Sequence, residues 1–277
     1  MSVVTSEELH AAQSAIGRSE TRVQLLDAES LTRFGLAIGC GAGRHAPPVL
    51  GHWSWFVPHH EDRELGADGH PERGGFLPHF SALPRRMFAA SGIRFLAPLS
   101  TGEHAEALTR IIDVRHKAGR SGDLVFVEVE RKVLQDGEPR LVENQTIVYR
   151  EEGAAVALPD PAIDAEEMPE GGELWHPGKV NLFRFSAVTF NAHRIHYDQT
   201  YAADVERYPA LIVHGPFIAA RLAELAARRG PLAGFQFRAQ APCFVDQPIR
   251  LAPHGADEFH AIRCDGTVAT IAKALYR

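Results

Sequence analysis

Residues 208–229 read YPALIVHGPFIAARLAELAARR, an apolar segment and a His-Gly-Pro turn followed by an amphipathic run. Leu222 and Leu225 recur at helical spacing, so the stretch predicts a helix over residues 217–229 with one apolar face. Pro216 suits the first turn of that helix, where the N–H that proline lacks has no partner in any case. A helix of this kind must bury its apolar face against a second layer of structure.

Strand patterns surround this helix and recur earlier in the chain. In the second half, strands are predicted at residues 180–190, 235–241, 249–252, 258–263 and 267–276. In the first half, a helix over residues 29–38 and a short buried element near residues 49–56 precede strands at residues 92–99, 106–115, 124–133 and 141–150. The Asp136-Gly137 turn joins the last two of these strands as a hairpin.

A weak internal repeat relates the two halves. RFLAP at residues 94–98 matches RAQAP at residues 238–242, and IVYR at residues 147–150 matches ALYR at residues 274–277. The matches occur in the same order, each at the end of a predicted strand, which favours two related halves. We therefore predict an α+β fold in which each half is a helix followed by a strongly curved antiparallel sheet.

The boundaries of these halves follow from composition. The predicted N-terminal half covers residues 1–150 and the C-terminal half covers residues 180–277. Residues 151–179 contain four prolines and an acidic cluster, so they are predicted to be a linker.

Charge and cysteine content limit the partners. Lys and Arg number 29 against 35 Asp and Glu, a formal net charge of −6, so no basic field favours nucleic acid or an anionic membrane. Cys40, Cys243 and Cys264 form no CxxC pair, which is typical of reduced cytosolic thiols. The N-terminus lacks a secretory pattern, and no apolar run approaches the ~18 residues of a membrane span. We expect a cytoplasmic protein without nucleic-acid or membrane partners.

Residues 190–198, FNAHRIHYD, carry the chemistry. Asn191 can begin a turn, and a helical turn after it would place His193 and His196 on one face. A second feature is Gly215, whose backbone N–H lies at the start of the predicted helix. That N–H and the positive helix end favour an oxygen that gains negative charge. Taken singly, each feature also fits an ordinary capped loop or helix start.

A metal site is the alternative use of the histidines. The HxxH spacing of His193 and His196 can bind zinc, but a third ligand is needed. Residues 46–82 are rich in histidine, and they contain His52, His59, His60, His70 and His79. None of these forms an HExxH-type spacing with the pair. We therefore predict no metal, and we interpret the tract as a polar loop lining a cleft.

Together, residues 190–198 and 208–216 resemble the MaoC-like (R)-specific hydratase/dehydratase family. The closer resemblance is to its two-halved branch, which includes mesaconyl- and itaconyl-CoA hydratases and mitochondrial 3-hydroxyacyl-thioester dehydratases. GHWSWF at residues 51–56 and LPRRMF at residues 83–88 extend the resemblance to the first half, so that it covers residues 20–277. It implies a double hot-dog fold, two long helices each wrapped by a curved sheet, with a first half that has lost its catalytic motif.

The resemblance also implies a reaction, namely addition or removal of water at the α,β double bond of an enoyl or 3-hydroxyacyl thioester. Asn191 and His196 would be catalytic. The oxyanion and substrate-binding residues would be Gly215, His214, Arg194 and Arg238. The substrate would be an acyl-CoA or acyl-carrier-protein thioester, no cofactor is needed, and a homo-oligomer is kept as a possibility because relatives of this fold commonly associate.

One departure from the commoner pattern is Asn191, where hydratases of this kind carry Asp five residues before the histidine. An amide can orient water but cannot accept a proton as a carboxylate does, so His196 must carry more of the acid/base work. A dicarboxylic acyl group such as mesaconyl would require a buried arginine. The candidates are Arg85, Arg86, Arg184, Arg194 and Arg238.

Two other functions remain open at this point. A hot-dog thioesterase would use the same oxyanion site for hydrolysis, although no carboxylate base stands in the residue 191–196 motif. A non-catalytic subunit that binds acyl thioesters is the second alternative.

Overall fold

The computed structural model describes residues 2–40, 46–119, 122–162 and 170–277. Its main element is one antiparallel sheet of ten strands. The strands are β1 (Ser19–Leu25), β2 (Arg85–Phe95), β3 (His104–Gly119), β4 (Gly122–Gln135), β5 (Glu138–Arg150), β6 (Glu173–Trp175), β7 (Leu232–Ala239), β8 (Ile249–His254), β9 (Glu258–Arg263) and β10 (Val268–Tyr276). The α-helices are α1 (Ser6–Gln13), α2 (Ala28–Ala37), α3 (Lys179–Thr189), α4 (Gln199–Asp204) and α5 (Gly215–Ala227).

The order of the strands shows the internal repeat directly. Across the sheet they run β1-β3-β4-β5-β2-β7-β10-β9-β8-β6. From the central β2–β7 junction outward, the first half places β2, β5, β4, β3 and β1, and the second half places β7, β10, β9, β8 and β6. Each half therefore has a short first strand, a helical segment and four further strands in the same arrangement, as the two sequence matches indicate.

Helix α5 forms the centre of the main hydrophobic core. Phe217, Leu222 and Leu225 are among its buried residues, and they pack with Phe235 and Phe259 from the strands of the second half. Its thirteen residues, Gly215–Ala227, begin and end two residues before the predicted helix. Burial of a large apolar side chain contributes about 1.5–3 kcal/mol, so this helix is held by packing more than by its intrinsic propensity.

Helix α2 occupies the corresponding place in the first half and is shorter, with ten residues. Asp27 caps it by accepting a hydrogen bond from the Ser30 N–H at 2.7 Å. Phe34 packs against Phe185 of α3, with ring centroids 6.0 Å apart. Helix α2 thereby joins the core around α5.

The prediction of a strand at residues 180–190 is wrong, because this segment forms helix α3. Leu182 and Phe185 are buried while Phe183 between them is exposed, which is a helical and not an alternating pattern. The Asn181 side chain accepts the Gly178 N–H at 2.9 Å, and this bond satisfies one free donor at the helix start. The helix ends at Phe190, which adopts the left-handed conformation with φ of 49°. The β-branched residues Val180 and Val188 favoured the incorrect strand.

Two further differences concern shorter segments. Residues 173–175, inside the predicted linker, form β6 and pair with β8. The apolar segment at residues 208–213 contributes only an isolated bridge, between Ile212 and Phe244. No described helix is long and apolar enough to cross a membrane.

A buried polar network fixes the first-half segment at residues 51–56. The Glu143 carboxylate of β5 accepts hydrogen bonds from Trp53 Nε1 at 3.1 Å and Ser91 Oγ at 2.8 Å. His52 Nε2 lies 3.4 Å from the same carboxylate. Burial alone would raise the pKa of Glu143, but its partners, His52 first, lower it to about 2. The 3₁₀ helix Gly51–Ser54 is thereby anchored to the sheet at the point where the long loop to β2 begins.

Candidate active site

The loop after α3 carries the signature residues and is internally braced. The Asn191 side-chain oxygen accepts the backbone N–H of His193 at 3.0 Å. A 3₁₀ helix follows at Arg194–His196, and Asp198 then caps α4 by accepting the Tyr201 N–H at 3.0 Å. The predicted turn and short helix are present, and Asn191 shapes the turn as predicted.

His196 is held in one protonation form by the backbone. Its Nδ1 lies 2.8 Å from the carbonyl oxygen of Ile212, which can only accept, so Nδ1 carries the proton and Nε2 keeps its lone pair. The ring is buried, and this burial lowers the pKa of His196 to about 4, against the opposing effect of the bond to Ile212. At neutral pH His196 is therefore a neutral imidazole with one free basic nitrogen.

The start of α5 lies beside this imidazole. The ring of His196 stacks on that of His214 with centroids 3.6 Å apart, and Gly215 is the next residue. As the first residue of α5, Gly215 has no partner for its N–H inside the helix. The nearest atoms to an added Cβ at Gly215 would be the Phe88 carbonyl oxygen at 3.8 Å and Ala239 Cβ at 4.0 Å. Gly215 thus sits where the two half-sheets meet.

His214 is completely buried and supports the position of the His196 ring by stacking on it. Its Nε2 lies 2.8 Å from Ser186 Oγ, and its Nδ1 has no partner among the described residues. Burial holds the pKa of His214 well below the usual value. Since the ring is not exposed, any contribution to oxyanion or substrate binding has to come through its contact with His196 and its bond to Gly215.

The two arginines predicted to bind substrate have different positions. Arg194 forms two hydrogen bonds with the Asp198 carboxylate, at 3.1 Å and 2.7 Å, and its guanidinium lies over the Tyr201 ring at 4.3 Å. Arg238 is exposed on β7, paired in register with Ala90 of β2. The structure brings neither guanidinium into contact with the His196 ring, so their substrate roles stay predictions.

A loop from the first half packs directly on the signature loop. The Arg194 N–H donates to the Asp68 carbonyl oxygen at 2.9 Å, and Arg194 Nη1 donates to the Ala67 carbonyl oxygen at 3.0 Å. A Cβ at Gly69 would lie 1.9 Å from the Ala192 carbonyl oxygen, which is far inside contact distance. Only glycine allows the two backbones to approach this closely.

Comparison with known proteins identifies the family of the chain. The hydroxyacyl-thioester dehydratase type 2 family model matches residues 50–245 of the chain, which include both the first-half loop and the second-half signature. The chain belongs to this family. It is 47% identical over 210 residues to the mesaconyl-C(4)-CoA hydratase of Chloroflexus aurantiacus, covering 74% of this chain and 73% of that protein. It is 32% identical over 130 residues to the mitochondrial hydroxyacyl-thioester dehydratase type 2 of Schizosaccharomyces pombe, covering 44% of this chain and 42% of that protein.

Solved structures confirm the fold. HtdX of Mycobacterium tuberculosis superposes with a TM-score of 0.67 at 18% identity, over 94% of this chain and 100% of that one. A second M. tuberculosis protein, described as having a double hotdog fold, gives a TM-score of 0.53 at 12% identity, over 94% and 96% of the two chains. The predicted double hot-dog fold and MaoC-like family are confirmed. The named relatives also confirm the enzyme class, a hydro-lyase of the hydratase/dehydratase type.

Two residues of the first-half loop, Asp68 and His70, lie beside the signature loop, and the sequence alone did not indicate a role for either. The His70 ring lies 4.1 Å from that of His193, and His193 lies edge-on to His196 with centroids 5.5 Å apart. Asp68 accepts the His70 backbone N–H at 2.9 Å and lies 3.3 Å from His70 Nδ1. The prediction that the histidine tract lines a cleft pointed to this loop, and the Asp-Gly-His-Pro turn was its only local signal.

The same three side chains could also be considered for a metal, because Asp68, His70 and His193 each place a ligand atom within 4.8 Å of the others. Zinc ligands lie about 2.0–2.2 Å from the ion, so these groups would have to converge further. Both Asp68 oxygens already accept from His70, and Arg73 Nη2 lies 3.5 Å from one of them. The cluster fits a hydrogen-bonded pair better than a cation site.

A cavity of about 500 Å³ opens between this loop and α4. Asp68, Arg73 and Arg85 line it from the first half, and Tyr201 and Glu206 line it from the second. Its volume is within the range of small-molecule sites, roughly 300–1,000 Å³. Both halves therefore border this cavity, although its lining includes neither Asn191, His196 nor Gly215.

Replacement of Gly69 by alanine tests the docking of the two loops. Gly69 and Gly102 have nearly the same positive φ, 84° and 82°, but an added Cβ meets nothing within 4 Å at Gly102. We expect Gly102→Ala to cost about 1–2 kcal/mol for the left-handed backbone alone, and Gly69→Ala to cost more and to reduce activity. Urea denaturation and hydratase assays of both variants measure the difference. Equal effects in the two variants would show that the contact with Ala192 is unimportant.

Proposed function

We propose that this hydro-lyase adds water to, or removes it from, the α,β double bond of an enoyl or 3-hydroxyacyl thioester of coenzyme A, with a dicarboxylic acyl group such as mesaconyl. The observation that carries the proposal is the His196 imidazole, neutral and unprotonated at Nε2, which stacks on His214 directly before α5. The family membership and the mesaconyl-C(4)-CoA hydratase relative support the substrate class.

In the hydration direction, His196 Nε2 takes a proton from a water molecule that the Asn191 side chain holds against C3 of the substrate. The hydroxyl oxygen bonds to C3 as the C2–C3 π electrons move toward the thioester oxygen. The Gly215 N–H and the positive end of α5 stabilise the resulting enolate oxygen. His196 then returns its proton to C2, so the imidazole ends neutral and one water has been added. Dehydration is the reverse sequence.

Hydrolysis is the competing chemistry at the same oxyanion site. The residue 191–196 motif offers no carboxylate nucleophile, and the Asp68 carboxylate nearby is held by His70 and Arg73. Loss of enoyl-thioester absorbance without thiol release identifies hydration. Thiol release would identify a thioesterase, and no change in either signal would indicate a binding subunit.

Two first-half arginines support the proposal of a dicarboxylic acyl group. Arg85 and Arg86 are the buried members of the candidate set. Arg85 is paired with the Glu206 carboxylate at 2.9 Å. Arg86 has no carboxylate at ion-pair distance within the described part of the chain, and donates to the Pro71 carbonyl oxygen at 3.4 Å. A buried charge without a counter-charge is costly, and a substrate carboxylate would supply one.

Replacement of His196 tests its role as the base. Positioned acid/base catalysis contributes roughly 10²–10⁴-fold in rate, so His196→Ala should lower kcat for hydration by at least about a hundredfold while the protein stays folded. Exposed His254 provides a control, since His254→Ala should leave kcat unchanged. Near-normal hydration by His196→Ala would remove this residue from the mechanism.

The pH dependence follows from the same imidazole. The base acts only when neutral, and burial lowers the pKa of His196 from 6.5 to about 4. As pH falls, kcat/KM should therefore hold steady through about pH 6 and decline tenfold per unit only below about pH 4. Steady-state assays with circular dichroism at each pH measure this decline separately from acid unfolding. A decline centred near pH 6.5 would mean that His196 is solvated or is not the base.

Arg86→Gln tests the dicarboxylic specificity. A hydrogen bond to a charged group contributes about 1.5–3 kcal/mol, so kcat/KM for mesaconyl-CoA should fall roughly ten- to a hundredfold relative to kcat/KM for crotonyl-CoA. Arg184→Gln, on the exposed side of α3, should change neither value. Equal losses for the two substrates would show that Arg86 does not recognise the second carboxylate.

A further inference from the structure

We propose that Asp68 and His70 of the first half form a carboxylate–imidazole pair that stabilises the positive charge arising on the His193–His196 cluster when His196 takes a proton from water. The inference rests on the proposed hydratase function and adds two positioning residues to it. It gives the first half, which lacks the signature motif, a direct part in the reaction.

The geometry of the pair fixes the orientation of the His70 ring. Asp68 Oδ1 accepts the backbone N–H of His70, and Asp68 Oδ2 lies 3.3 Å from His70 Nδ1. A carboxylate only accepts, so the His70 proton is on Nδ1 and the lone pair is on Nε2. The segment itself is fixed to the second half by the Arg194 N–H bond to the Asp68 carbonyl oxygen and by the close approach of Gly69 to Ala192.

A continuous set of ring contacts connects this pair to the base. The His70 and His193 centroids are 4.1 Å apart, and the His193 and His196 centroids are 5.5 Å apart. His193 is also held through its backbone by Asn191. His70 and His196 interact electrostatically, and these rings are largely buried, where interactions between charges are stronger than in water.

The charges around the cluster give Asp68 a particular importance. Arg73 and Arg86 are the first-half cations that act on these imidazoles. The imidazoles of His193, His196 and His214 come from the second half and act on one another. Tyr201 and Glu206 also interact with the Asp68 charge, and Glu206 is paired with Arg85. The Asp68 charge raises the pKa of His70 and of His193, and so opposes the effect of Arg73 and Arg86.

The electrostatics of the individual groups agree with this arrangement. Burial would raise the pKa of Asp68, but its hydrogen bond to His70 and the nearby imidazoles lower it, so Asp68 is ionised. Burial lowers the pKa of His193, and the Asp68 charge opposes that effect. A fixed negative charge close to neutral imidazoles is the arrangement in which an imidazolium is stabilised only as it forms.

The pair also accounts for the amide at position 191. Asn191 uses its side-chain oxygen to hold the His193 backbone, and an amide adds no charge to the site. A carboxylate is instead supplied from the other half, next to the same histidine. The negative charge is therefore present near the base although the signature loop does not carry it.

The test compares Asp68→Asn with Asp62→Asn, which removes the same charge from an exposed position of the same loop. An opposite charge within about 4–6 Å shifts a pKa by about 1–3 units; Asp68 acts on His196 across two rings, so Asp68→Asn should lower kcat for hydration by roughly the lower limit, about tenfold. KM should change little, because the pair acts on the base. Asp62→Asn should match the wild-type enzyme, and Asp68→Glu, which keeps the charge, should recover part of the lost kcat.

A spectroscopic measurement accompanies the kinetics. In Asp68→Asn, the amide NH₂ faces His70 Nδ1 while the amide oxygen keeps the backbone bond, so His70 should change to the Nε2–H form. The ¹⁵N chemical shifts of the His70 ring, assigned through His70→Asn, report this change without requiring turnover. A chelator should leave the wild-type kcat unchanged.

Several results would overturn the inference. Among them are a kcat of Asp68→Asn within twofold of wild type, an equal loss in Asp68→Glu accompanied by a lower melting temperature, and loss of wild-type activity on chelation. A wild-type protein that hydrates no enoyl-CoA thioester would refute the proposed function. A wild-type hydratase whose Asp68→Asn variant keeps its kcat would refute only this inference.

Discussion

The antiparallel pairing of β2 with β7 is the constraint on which the site depends. Its register runs from Ala90 opposite Arg238 to Arg94 opposite Gly234, and it joins two five-stranded half-sheets into one. Because α5 begins beside this junction, its first N–H groups lie near strands of both halves. The same pairing fixes the relative position of the halves, so a first-half loop can reach the second-half signature. The proposed active site therefore depends on both halves of the fold.

Burial and backbone contacts together set the chemistry of the imidazoles. A buried histidine loses its charge, and a neutral ring is a base only through the nitrogen that has no proton. In His196, Nδ1 donates its proton to the Ile212 carbonyl oxygen, so Nε2 is the basic nitrogen. A backbone carbonyl here takes the place of the carboxylate that often accepts this hydrogen bond. A site built in this way starts neutral and becomes charged during reaction. In the proposed mechanism, its catalytic advantage depends on a counter-charge that is already in place.

The sequence predicted local features well where one pattern was unambiguous. The apolar face of α5, the Asp136-Gly137 hairpin and the signature turn could all be read from neighbouring residues. Helix α3 could not, because Val180 and Val188 favour strands and only tertiary packing of Leu182 and Phe185 decides for a helix. The contact of His70 with His193 joins residues far apart in the chain. It depends on the pairing of the halves, for which a single sequence holds no local signal.

The two first-half segments that carry the family resemblance hold the ends of the loop that contacts the signature. The segment at residues 51–56 is anchored by Trp53 to Glu143, and the segment at residues 83–88 is anchored by Arg85 to Glu206. The loop between them places Asp68 and His70 beside the signature. It is thus fixed at both ends, once before and once after these residues in the chain. A long loop held in this way loses little further entropy when substrate binds. In the proposed mechanism, the first half therefore supports a site in the other half without carrying the signature motif itself.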